Sequence, residues 1–94
     1  MLIAVDQTMV NGYQPASIMF FTLPDGTRYQ AKCTKKGVHT IGVAVQLCFP
    51  ASDGSDVFHW TLASQHLTAD AASKSAKREQ SRPHLNSWTI VVAD

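Results

Sequence analysis

Positive charge is missing from most of this chain. Residues 1–27 and 37–73 contain no Lys or Arg. Long apolar runs are missing too, and no stretch approaches the roughly eighteen residues that a membrane-spanning helix requires. The opening MLIAVDQTMV lacks a basic segment, and Asp6 cuts its apolar run, so it does not read as a secretory signal. These absences lead to the expectation of a cytoplasmic chain with no membrane partner. Cysteine is scarce. Cys33 and Cys48 are expected as free, buried thiols in that compartment, although neighbouring strands would also bring them within bonding range.

Catalytic signatures are equally sparse. There is no phosphate-cradling loop, no dinucleotide fingerprint and no nucleophile elbow. The four histidines and two cysteines invite a metal, but none of their spacings matches the short pairs that pre-assemble a zinc site. His59 and His66, the nearest pair, read as scattered surface imidazoles. Asp53, Asp56 and His59 are the one grouping that suggests hydrolysis. The stretch PASDGSD around them is turn chemistry, and neither a nucleophile nor an oxyanion donor accompanies it. The expectation is a protein that is not an enzyme, holds no metal and needs no cofactor.

What is present points to one domain spanning residues 1–94. Apolar residues make up 45% and charged residues 16%, a balance that argues against global disorder. A chain of this length buries roughly 60–65% of its unfolded surface, so its core is thin and a second copy would help it.

Local signals favour antiparallel strands. LPDGT, residues 23–27, combines Pro24, Asp25 and Gly26 in the order of a hairpin turn. The return stretch alternates, with Tyr29, Ala31 and Cys33 on one side and Arg28, Gln30 and Lys32 on the other. TKKGV, residues 34–38, reads as the next turn. Residues 39–49 place Ile41, Val43, Val45, Leu47 and Phe49 on one face. Residues 57–64 place Phe58, Trp60 and Leu62 together. Strands are expected near 2–10, 17–23, 28–33, 39–49, 57–64 and 87–92. The fold class is therefore α+β or mainly β, with an antiparallel sheet of about six strands forming a small barrel, a sandwich or a curved sheet.

Residues 68–82 differ in kind. They are rich in Ala, Ser, Lys, Arg, Glu and Gln. Thr68 is suited to cap a helix, Asp70 to sit in its first turn, and Pro83 to stop it. Its apolar stripe is only Ala69, Ala72 and Ala76, which buries little area, so the segment reads as a basic helix or a mobile loop.

The eight cations form two blocks. Arg28, Lys32, Lys35 and Lys36 make the first; Lys74, Lys77, Arg78 and Arg82 make the second. Brought together, they would attract phosphates through Coulomb steering and counterion release. The functional expectation is a small non-catalytic module that binds nucleic acid or another polyanion. The alternative is an interaction or inhibitor module, of the kind an accessory protein of a phage or mobile element provides, that binds an acidic protein surface. Exposed strand edges also allow a homodimer.

Overall fold

The computed structural model describes residues 18–94; the expected strand at 2–10 lies outside them. The described chain is mainly β, with antiparallel pairing throughout and one helix. Strands β1 (Phe20–Thr22) and β2 (Arg28–Gln30) form a hairpin. Strands β3 (Cys33–Thr34) and β4 (Gly37–Val38) form a second, minimal one. Strands β5 (Ile41–Pro50), β6 (Asp56–His66) and β7 (Leu85–Val92) make a sheet in the order β6-β5-β7. Helix α1 (Ala69–Glu79) connects β6 to β7.

The expected sheet of about six strands is not what forms. The strands divide into two hairpin sheets and one three-stranded sheet, with no closed barrel among the described residues. The reason lies in β1. It is apolar on both sides and three residues long, too short to extend a sheet edge but well suited to lie across a face. Residues 34–38, expected as a plain turn, carry the β3–β4 pair.

Two layers cover the central sheet from opposite sides. On one side, Val43 and Val45 of β5 pack against Ala72 and Ala76 of α1, with Ile41, Leu47, Ala63 and Leu85 around them. On the other, Phe21 and Ala31 pack with Ala93, Leu62 and Val91. Gly42 makes this second contact possible: a Cβ there would meet Phe21 Cε1 at 2.9 Å and Leu62 Cδ1 at 3.0 Å.

A bulge decides which side chains face the helix. Between β5 and β6 the register shifts, so that Val43 faces Ser64 while Ala44 faces Leu62. Ala63 is the extra residue, and it turns Ser64 and His66 to the helix side. A second irregularity, between Gln46 and Leu47, leaves Asn86 of β7 extra, and its Nδ2 donates to Gln46 Oε1 at 2.6 Å.

The helix forms where its capping residue predicts. Thr68 is extended, and its Oγ1 accepts from the Ala71 N–H at 3.2 Å. Ala72 and Ala76 are buried as the stripe requires, joined by Ser75, whereas Ala69 is exposed. The helix ends at Glu79, short of residue 82, with Gln80 as its C-cap.

Candidate anion-binding surface

The chain leaving β2 turns round one end of the central sheet. Gln65, on the hairpin side of β6, fixes its path: Gln65 Oε1 accepts from the Lys32 N–H at 2.6 Å, and Gln65 Nε2 donates to the Gln30 carbonyl at 3.2 Å. Beyond the β3–β4 hairpin, Thr34 Oγ1 lies 3.3 Å from His39 Nε2. His39 Nδ1 is buried without a hydrogen-bond partner.

His66, opposite Ile41, is on the helix side, and His39 is near enough to interact with it electrostatically. His66 Nε2 lies 2.8 Å from Ser64 Oγ, which is 2.8 Å from Oγ of Ser75 on α1. Burial holds the His66 imidazole below its ordinary basicity, and the positive charges of Arg78 and His39 depress it further. His39 and His66 are therefore half-buried neighbours rather than scattered surface groups. His59 and His84 are exposed.

The basic residues are spread over several elements. Lys35 and Lys36 occupy the exposed β3–β4 turn, and the Lys36 N–H donates to Thr34 Oγ1 at 3.3 Å. Lys74, Lys77 and Arg78 are exposed on α1. Lys74 and Arg78 are one turn apart and share a stripe; Arg78 is near enough to act on His66 through its charge. Arg28 and Lys32 sit on the hairpin that covers the opposite side of the sheet. The Arg28 guanidinium lies 4.5 Å from the Phe20 ring centroid, a cation–π contact. Arg82, past the helix end, bonds Glu79 Oε1 through Nε at 2.6 Å. It is the one Lys or Arg paired with a carboxylate among the described residues.

The Asp53 grouping is a turn. Ser55 donates to Asp53 Oδ1 through Oγ at 2.6 Å and through its N–H at 2.9 Å, and these bonds hold the carboxyl below its ordinary range. No three of His, Cys, Asp and Glu converge among the described residues, and both cysteines are unbonded. Among the described residues, no helix is long and apolar enough to cross a membrane.

Sequence reasoning named the cations but missed the His39–His66 pair. The two are far apart along the chain, and only the pairing of Ile41 with His66 brings them together. Comparison with protein-family models, curated proteins and solved structures found no match.

Proposed function

We propose that this domain is a non-catalytic binding module that takes up nucleic acid or another polyanion on its basic surface. One observation carries the reading. The charge of Arg78 from the second block acts on His66, and the loop holding Lys35 and Lys36 from the first block is tied through Thr34 to His39. Part of each block thus supports this reading: Lys35 and Lys36 from the first, and Arg78 with Lys74 on its stripe from the second. A phosphate here meets fixed cations, a concentration of positive charge that raises association rate and affinity. Lys77 flanks the same helix. Arg28 and Lys32, on the opposite side of the sheet, and Arg82, paired with Glu79, fall outside this surface, so the eight cations do not act as one.

The test is fluorescence anisotropy with labelled single-stranded DNA, duplex DNA and RNA across a salt series. The expected result is binding whose log–log salt slope is about −3 or steeper. Reversal of Lys77 and Arg78 to Glu should remove it while circular dichroism stays unchanged. No binding to any of the three at low salt would overturn the nucleic-acid reading and leave an acidic protein surface as the partner class.

A further inference from the structure

Among the described residues, strand β7 is an edge of the central sheet with no guard of its own. From Leu85 to Ala93 it carries no charge and no proline, the residues that protect natural edges from pairing. Among the described residues only β1 touches its outer side, at one end, where Phe20 and Asp94 exchange backbone hydrogen bonds of 2.9 and 3.0 Å. On the helix side the strand presents Trp88, Ile90 and Val92, which remain 38%, 38% and 64% exposed. These three form a continuous apolar row beside α1.

We infer that β7 pairs antiparallel with β7 of a second copy. The strand is self-complementary. With Thr89 on the twofold axis, Trp88 of one protomer meets Ile90 of its partner on the helix side, and Ile90 meets Trp88 in return. Such an isologous contact closes on itself and cannot propagate. An uncharged strand neither repels its own copy nor offers a charge pattern to select a different partner. The protomer also has much to gain. Phe21, Val43 and Val45 are its only large side chains with essentially no exposure among the described residues. Its radius of gyration is 15.6 Å, against about 12 Å for a compact domain of this length. Pairing would build a sheet of twice the width with both helices on one face and the two apolar rows between them. One strand ladder and three half-exposed side chains bury less than about 1,200 Å², so the dimer is of the weak, reversible class.

Sedimentation equilibrium of the full chain over a wide concentration range tests this, at both low and high salt. The expected result is a reversible dimer little affected by salt, unlike the binding proposed above. Ile90→Lys should weaken it at least about tenfold, and Val57→Lys on the far edge should leave it unchanged. In case Ile90→Lys disturbs folding, a Thr89→Cys variant is oxidised and digested. A disulfide-linked peptide that joins position 89 to the same position of a second copy supports the axis, whereas linkage only through Cys33 or Cys48 overturns it. A monomer at all concentrations overturns the inference, and so does a dimer that Ile90→Lys leaves intact. A monomer whose β7 amides nonetheless resist hydrogen exchange would overturn it too.

Discussion

The ring of Phe21 occupies the space that a side chain on Gly42 would need, with Cε1 only 2.9 Å from where a Cβ would stand. The contact joins the β1–β2 hairpin to the first residues of the central strand. Phe21 is fully buried, and Leu62 closes the other flank at 3.0 Å, so the ring has little room to retreat. Gly42→Ala should therefore destabilise the domain by about 1–3 kcal/mol, the usual cost of overfilling a packed core. Urea unfolding checks this. An unchanged midpoint would mean that the hairpin shifts freely.

Ser75 is the one buried polar residue among those described, and its only recorded partner is Ser64 Oγ. Ser75→Ala removes a hydrogen bond of modest net value but leaves Ser64 its bond to His66. The expected loss is about 1 kcal/mol. Ser64→Ala strands both Ser75 and His66, so it should cost more. Thermal unfolding of the two variants side by side tests that order.

The His66 imidazole makes stability depend on pH in a defined direction. The unfolded chain takes up this proton near the ordinary value of 6.5, while the folded chain resists it to lower pH. Between the two, the unfolded state holds more protons, so stability rises with pH. It is complete above 6.5 and declines as pH falls below that value. The effect is separable from Asp25 and Asp53, whose lowered carboxyls act only near and below 3.8. His66→Gln should flatten the profile in the upper window alone. If polyanion binding is centred on this pair, affinity in the native protein should rise as pH falls over the same interval, because a bound phosphate favours the protonated ring.

His84 holds a left-handed backbone, with φ of 67°. Its carbonyl accepts from the Cys48 N–H at 2.9 Å, and its ring lies 4.8 Å from that of Phe49. His84→Gly relieves roughly 1–2 kcal/mol of backbone strain and forfeits an aromatic contact of about 0.5–1.5 kcal/mol, so its net effect should be near zero. His84→Val keeps the strain, loses the contact and adds a branched Cβ. Denaturation midpoints should place valine well below both glycine and histidine.

Much of this fold was legible from residue chemistry. Pro24, Asp25 and Gly26 announced their turn, and Gly26 takes the positive φ of 89° that the position demands. The alternation of Tyr29 and Ala31 with Arg28, Gln30 and Lys32 survives as buried and exposed sides. Thr68 caps the helix as its side chain allows. What escaped was set by pairing across the sheet. Strict alternation would put Ser64 and His66 on the side of Leu62, and only the extra residue Ala63 reverses them. The place of β1 was hidden because an apolar pattern on both sides fits a central strand as well as a hairpin laid over a face. The cations were visible one by one. That Arg78 approaches His66 while Arg28 lies across the sheet follows from which layer covers which side, and no local spacing encodes it.

Gln65 performs an unusual service for the hairpin layer. Its side-chain amide accepts from one backbone group and donates to another on the same neighbouring segment, as a peptide unit would in a ladder. The hairpin is thus latched to β6 by an imitation rung, one that water can replace without breaking any strand. Deamidation to Glu would keep the acceptor and abolish the donor, setting a carboxylate against the Gln30 carbonyl. Half of the rung would then be lost, while the bond from the Lys32 N–H and the buried Phe21 ring kept the hairpin in place, so the change would loosen the path between the layers and leave both layers standing.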